Sequence, residues 1–288
     1  MSEVRDQLAV ATGSDDPVAV DLNVDAALFL KDQVGIDDYP AALGVLPLLD
    51  DEADRRKVDA VIAEQLRAEG IYGDDGVHPA VAHWLRCLDR PDVELFARIV
   101  DYGENGEPIG VLRISLVRTG DTHVLAARYG DHIVIQPVFQ PEGRTDAVVA
   151  ALASALGPCP VVEFEPVTLL RTQIAELPDE PAAQRQAFVE LGAPPHTAAV
   201  LSRLLADMVR RAEVVISEYH DGETPHPDIC LSVFDSAAGR VVAVPRRAVD
   251  GAVWLTLGPG DDAALRTGVQ ALIDLLPGTN WFGTSRIS

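Results

Sequence analysis

The sequence predicts an α+β fold in which one unit is used twice, giving a pseudo-two-fold body with a central antiparallel β-sheet flanked by helical bundles. Three observations carry that prediction. Helical periodicity gives way to short alternating stretches joined by tight turns, which implies antiparallel neighbours rather than long crossovers. Each run of such stretches is closed by an amphipathic helix. The whole order of strand, helices, four strands and helix then occurs a second time.

The first unit opens with alternation over residues 18–22, a short strand. Asn23 suits an N-cap for a helix over 24–34, and Gly35 stands where that helix should stop. Residues 39–47 read as an apolar connector. Val58, Ile62 and Leu66 recur every four places, so 51–69 is an amphipathic helix ended by Gly70. Pro79 suits a first helical turn, and the helix it starts carries Val81, Trp84, Leu85 and Leu88, with Pro91 just past its end. The period then changes to two. Strands are expected over 94–100, 109–118, 123–128 and 133–139, and a helix over 144–156 closes the unit.

The second unit repeats the plan: a strand at 161–164, helices over 181–191 and 198–210, strands at 213–219, 228–235, 240–246 and 253–257, and a closing helix over 261–276. A shift of 119 places lays Glu94 on Glu213, Gly120 on Gly239 and Arg128 on Arg247, without a gap through the sheet region. The opening strands need a shift of 143. The expected division is a disordered tail over 1–17, a first half over 18–158 and a second half over 159–288, joined as one body. Pairing the two sheets edge to edge would hide edges that otherwise invite aggregation.

Composition narrows the function. The formal net charge is −22 and the pI about 4.5, a surface that repels phosphate backbones and anionic membranes. Cys87, Cys159 and Cys230 are odd in number and form no C-x-x-C pair, which argues against a disulfide framework or a zinc knuckle and for a reducing cytosol. No apolar run reaches 18 residues, and residues 1–16 lack the pattern of a signal peptide. Trp84, Trp254 and Trp281 read as core anchors.

No phosphate loop, dinucleotide fingerprint or nucleophile elbow is present. His78 and His83 are five apart, which does not put both rings on one helix face. The richest polar cluster spans 218–228 and holds His220 and His226. It reads as a solvated hairpin loop, with a metal-binding or hydrolytic site as the alternative. A small-ligand carrier with an apolar cavity is a further alternative. No cofactor is expected.

Several segments together resemble the EspG family, cytosolic chaperones of mycobacterial ESX (type VII) secretion. They are Val20-Asp-Leu-Asn-Val-Asp-Ala-Ala-Leu-Phe-Leu30, Tyr39-Pro-Ala-Ala-Leu-Gly-Val45, Val77-His-Pro-Ala-Val-Ala-His-Trp-Leu85 with Arg90-Pro-Asp92, Leu231-Ser-Val-Phe-Asp235 with Gly239-Arg240, and Leu275-Leu-Pro-Gly-Thr-Asn-Trp-Phe282. One departure is Tyr39-Pro40-Ala41, where many members carry a tryptophan. The resemblance leans toward members serving the ESX system tied to iron acquisition. It implies a non-enzymatic protein that grips the apolar tip of the PPE subunit in PE–PPE heterodimers and directs them to the secretion machinery. The free chaperone is then expected as a monomer or weak homodimer that inserts in no membrane. Carried onto this chain, the family's contact surface points to Tyr102, Glu104, Asn105 and Glu107 in one loop, Glu213 at a strand start, and Ser217, Cys230 and Ser232. Ser232 interrupts an apolar strand, which means either a close backbone approach or a solvent-facing position. A tyrosine there is expected to block cargo by bulk and leave the fold intact.

Overall fold

The computed structural model describes residues 17–47, 52–222, 225 and 227–286. The first half runs β1 (Val20–Asn23), α1 (Val24–Val34), a 3-10 turn (Ala41–Leu43), α2 (Glu52–Ala68), a small hairpin of β2 (Tyr72–Gly73) and β3 (Gly76–Val77), and α3 (Pro79–Asp89). It continues through β4 (Val93–Tyr102), β5 (Pro108–Thr119), β6 (Thr122–Tyr129), β7 (His132–Pro137) and α4 (Asp146–Leu156). The second half is β8 (Val167–Leu170), α5 (Arg171–Ala175), α6 (Pro181–Glu190), α7 (Pro195–Ala206), β9 (Met208–Glu218), β10 (Leu231–Ser236), β11 (Gly239–Arg247), β12 (Val253–Pro259) and α8 (Asp262–Ile273).

Local chemistry fixes the helix ends. The Asn23 side chain accepts the Ala26 N–H at 2.7 Å, and Gly35 closes α1 in the left-handed region at φ 71°. Asp261 caps α8 in the same way, accepting from Ala264 N–H at 2.7 Å.

Ten strands form one antiparallel sheet in the order β1-β7-β6-β5-β4-β9-β10-β11-β12-β8. Reading outward from the centre, β4 answers β9, β5 answers β10, β6 answers β11, β7 answers β12 and β1 answers β8. The pseudo-two-fold passes between β4 and β9.

The pairing corrects the register expected from sequence. Ala97 pairs with Ile114 and Ser115 with Ala126, while Val214 pairs with Leu231 and Ser232 with Ala243. Each of these is related by a shift of 117, from Ala97 to Val214, and Ala97 itself pairs with Val214 across the axis. The gapless 119 alignment is therefore two places out. Because side chains alternate with period two, it still put equivalent positions on the correct face. At β7 the shift becomes 122, since Leu125 pairs with Gln136 and Val242 with Gly258.

Other expectations also move. Residues 161–164 are not the opening strand of the second half: Val161 makes only an isolated bridge to Arg240, and β8 lies at Val167–Leu170. Pairing of Leu169 with Leu255 on β12 decides that placement. The helix expected to reach residue 210 ends at Ala206, and β9 begins at Met208, so Glu213 lies inside a strand and not at its start. Trp84 and Trp281 are buried, whereas Trp254 is half-buried. Cys87 is buried and Cys230 half-buried.

The sheet divides three cores by face. Helices α4 and α8 cover the middle of one face, over Leu95, Ala97, Ile99, Ile114, Leu116, Val214 and Leu231. On the other face, α1, α2 and α3 cover the first-half end over Val117, Val124, Ala126, Ile133 and Ile135. At the second-half end, Phe188 of α6 and Leu201 and Leu204 of α7 pack over Val241, Ala243, Leu257 and Leu169. Among the described residues no helix core lies over the middle of that second face, and Phe234 at its edge packs against the α6–α7 core.

The two halves are also tied crosswise. Arg118 of β5 donates to the carbonyls of Trp281 and Thr284, beyond the second half's closing helix. Arg240 of β11 donates to the carbonyls of Leu156 and Gly157, at the end of the first half's closing helix. Both guanidiniums are buried against a carboxylate, Asp92 and Asp235 respectively.

Candidate partner-binding surface

The uncovered middle of the second face is built by β4, β5, β9 and β10. Its residues are those between the positions that α4 and α8 cover: Glu94, Phe96, Arg98 and Val100 on β4, Arg113 and Ser115 on β5, Arg211, Glu213, Val215 and Ser217 on β9, and Ser232 and Phe234 on β10. The two helical caps stand on either side, so the strands form the floor of a trough.

The register defines rows across this floor. Ser232 lies directly opposite Glu213, Glu213 opposite Arg98, Arg98 opposite Arg113, and Arg113 opposite Arg128. On one side lies the row Phe234, Arg211, Val100 and Val111; on the other, Val215, Phe96, Ser115 and Ala126. The floor is thus apolar and half-buried at Phe96, Val215 and Phe234, with a polar row through its middle.

Glu213 accepts from Arg211 Nη2 at 2.6 Å and lies 4.0 Å from Arg98 Nη1. The Arg211 guanidinium also stands 5.9 Å from the Phe234 ring centre. Arg98, Val100, Tyr102, Arg211 and Glu213 line one small depression. Tyr102, at the end of β4, is thereby brought beside Glu213.

The loop after Tyr102 is a tight hairpin. Gly103 N–H donates to the Glu107 carbonyl at 2.9 Å, Gly106 N–H donates to the Gly103 carbonyl at 2.9 Å, and the Asn105 side chain accepts the Glu107 N–H at 3.2 Å. Gly106 sits at φ 75°, which glycine adopts without strain. Glu104, Asn105 and Glu107 are exposed on this tip.

Ser232 lies on the floor face and is only 9% exposed. Cys230 Sγ stands 3.5 Å from its hydroxyl. Ser217 is buried further along β9, opposite Glu94. Glu94 itself accepts from Ser115 Oγ at 2.6 Å and from the Tyr219 hydroxyl. Burial pushes the Glu94 carboxyl above its usual range, and the hydrogen bonds from Ser115 and Tyr219 act against that shift. The Tyr219 phenol is raised in turn, by burial and then by the neighbouring Glu94.

Sequence reasoning missed Arg98, Arg113, Arg211, Phe96 and Phe234. The signal was there in part: Arg98 and Arg113 each interrupt an apolar alternation. That they stand side by side follows only from the register. The other polar cluster gathers little. His220 is half-exposed and its Nε2 lies 3.0 Å from Glu218 Oε1, and His226 lies outside the described residues. Among the described residues no group of three or more His, Cys, Asp or Glu side chains is arranged to hold a metal ion, and no helix is long and apolar enough to cross a membrane.

Comparison with known proteins gives the family and the fold. A family model described as the EspG family matches residues 23–271. The chain is 33% identical over 278 residues to the ESX-1 secretion-associated protein EspG1 of Mycobacterium marinum, covering 94% of this chain and 95% of that one. It is 28% identical over 286 residues to the ESX-3 secretion-associated protein EspG3 of Mycobacterium tuberculosis, covering 94% and 96%. The higher identity to an ESX-1 protein runs against the expectation of the iron-linked system. The fold matches that of the Mycobacterium tuberculosis type VII secretion system chaperone EspG5, solved in complex with a PE25–PPE41 dimer, with a TM-score of 0.76 at 21% identity over 93% of this chain and all of that one. Family match, relatives and fold agree: the chain belongs to the EspG family.

Proposed function

We propose that this chain is a cytosolic type VII secretion chaperone without enzymatic activity, and that it binds the apolar tip of the PPE subunit in PE–PPE heterodimers. The observation that carries this reading is the open middle of the sheet, a half-apolar floor between two helical caps, on a family member. An apolar helical tip left in water drives self-association. Seating it on Phe96, Val215 and Phe234 removes apolar area from water and keeps the cargo soluble. The polar row through the floor fixes orientation and leaves the complex reversible, as a delivery step to an ESX system requires. The candidate contacts are Tyr102, Glu104, Asn105, Glu107, Glu213, Ser217, Cys230 and Ser232, of which Tyr102, Glu213 and Ser232 cluster on one stretch of floor.

Co-expression with PE–PPE pairs tests the proposal. The expected result is a complex of one chaperone with one heterodimer on size exclusion. Ser232→Tyr sends a ring up from a nearly buried position beside Glu213, and should abolish co-purification while far-UV circular dichroism stays unchanged. Failure of every PE–PPE pair to bind overturns the function. Undiminished binding by Ser232→Tyr removes Ser232 from the contact surface.

A further inference from the structure

We infer that the arginines of the open floor, Arg98 and Arg113 with Arg211 beside them, receive a carboxylate presented by the cargo's tip. This rests on the proposed function and names the chemistry by which the floor would recognise its partner.

The charge distribution motivates it. The chain carries 23 basic residues against 45 acidic ones. Yet Arg98, Arg113 and Arg128 stand directly opposite one another on three consecutive strands. Like charges in directly opposed sheet positions disfavour the fold. Arg128 has an evident structural use, since it donates to the carbonyls of Leu43 and Gly130 at 3.0 Å, and to that of Gly44. It thereby pins the 3-10 turn over the sheet. Arg98 and Arg113 have no such use. Among the described residues Arg113 has no carboxylate within ion-pair distance, and Arg98 has only Glu213 at 4.0 Å. Glu213 is already held at 2.6 Å by Arg211. One carboxylate therefore faces three guanidiniums on a floor that, among the described residues, no helix core covers.

A planar guanidinium pair is matched to a carboxylate, which it can hold by two parallel hydrogen bonds. A nucleic acid is a poor occupant, because the surrounding net charge of −22 repels a polyanion at range. A single acidic side chain within an otherwise apolar tip meets no such barrier. It would contact Arg98 and Arg113 at the centre of the floor and leave Phe96, Val215 and Phe234 for the apolar part.

Calorimetric titration of a co-purifying PE–PPE heterodimer at 50 and 500 mM NaCl, against the parent and the Arg98→Gln and Arg113→Gln variants, tests the inference. The expected loss at low salt is at least about ten-fold for the double variant, with a flatter salt dependence than the parent. Melting temperatures should be unchanged or higher, because repulsion has been removed. Asp→Asn or Glu→Gln substitution at the PPE tip should reproduce the loss and add nothing to the double variant. Variants that bind like the parent with the same salt slope overturn the inference while leaving the chaperone function intact. So does a lowered melting temperature, which would make the arginines structural. So does competition by millimolar inorganic phosphate with no effect of the tip substitutions, which would mark a small-anion site. If no heterodimer binds the parent at all, both the inference and the function fall.

Discussion

Replacing Arg118 with methionine should cost about 3 kcal/mol, toward the lower end of the ~3–5 kcal/mol lost when one partner of a buried ion pair is removed. The reason lies in what the guanidinium holds. Its Nε donates to Trp281 O at 2.6 Å, its Nη1 to Asp92 Oδ2 at 3.2 Å and Gly120 O at 3.0 Å, and its Nη2 to Thr284 O at 2.6 Å and Thr284 Oγ1 at 2.7 Å. Every N–H of the group has an acceptor. Methionine fills most of the volume but leaves Asp92 buried without its countercharge. Asp92 keeps two donors, the amides of Gly120 and Arg286, each at 2.8 Å, which is why the lower end applies. Arg240→Met is the internal comparison. Asp235 receives both Arg240 bonds at 2.7 Å and, among the described residues, beyond them only the weak donor of the Cys159 thiol, with no backbone amide such as Asp92 keeps, so this variant should lose more. Urea unfolding measures both. Against a total of roughly 5–15 kcal/mol, either loss is plain in the midpoint. Adding Asp92→Asn to Arg118→Met should recover part of the loss by removing the stranded charge. A cost below about 1 kcal/mol for Arg118→Met, or a smaller cost for Arg240→Met, would refute this account of the crosswise ties.

Gly239→Ala should destabilise by about 1–3 kcal/mol from backbone strain alone. Gly239 sits at φ 142°, and a Cβ there would stand 2.9 Å from Pro160 O and Val162 N, backbone atoms that cannot swing away; a melting temperature equal to the parent's would contradict the strain. Stability should also fall on mild acidification through His123. Its Nε2 accepts the Trp281 indole N–H at 2.9 Å, and burial holds its pKa below the usual value against the opposing effect of the Asp121 backbone. The stabilisation is present above about pH 6.5, where the unfolded chain's histidine is also neutral, and is lost as pH falls and only the unfolded chain takes up the proton. Glu94, raised by burial, tilts the other way, with its contribution lost as pH rises. Comparing melting temperatures of parent and His123→Phe between pH 7.5 and 5.5 isolates the histidine. A drop of equal size in both would exclude it.

Much of this fold was written in local chemistry. Asn23, Gly35 and Asp261 mark helix ends because a side-chain acceptor or a left-handed glycine is needed at those points whatever the tertiary context. The central strands were legible from period-two alternation, since one face of each is buried beneath α4 and α8. The exchange of 161–164 for β8 has a different origin. Both stretches are short and apolar, and only pairing with β12, a long-range event, selects Val167–Leu170. The 119 register failed for a related reason, because sliding a strand by two residues preserves every buried face and leaves the pattern almost unchanged. Ser232 is visible in the sequence as a polar break and Glu213 only as a residue at a strand start, and that they face one another across β9 and β10 is not visible there. The neighbouring of Arg98 and Arg113 is hidden for the same reason, since only the pairing of β4 with β5 sets them opposite one another.

The correct register exposes a disagreement between backbone symmetry and side-chain chemistry. Under the 117 shift, Ser115 is answered by Ser232, a true pair. Arg98 is answered by Val215, Arg113 by Cys230, Glu94 by Arg211 and Phe96 by Glu213. The floor is thus two-fold in its strands but polarised in its surface, with guanidiniums gathered on β4, β5 and the start of β9, Glu213 beside them, and smaller or apolar groups on the remainder of β9 and on β10. A uniformly apolar symmetric trough would accept a helical hairpin in two orientations related by the pseudo-axis with nearly equal energy. Placing the cationic row on one side breaks that degeneracy, because reversing the partner would bring its carboxylate against Val215 and Cys230 and strand it without a countercharge. On the proposed reading, such a polarised floor would set orientation by penalising the wrong pose, and the two helical caps would need to contribute only walls.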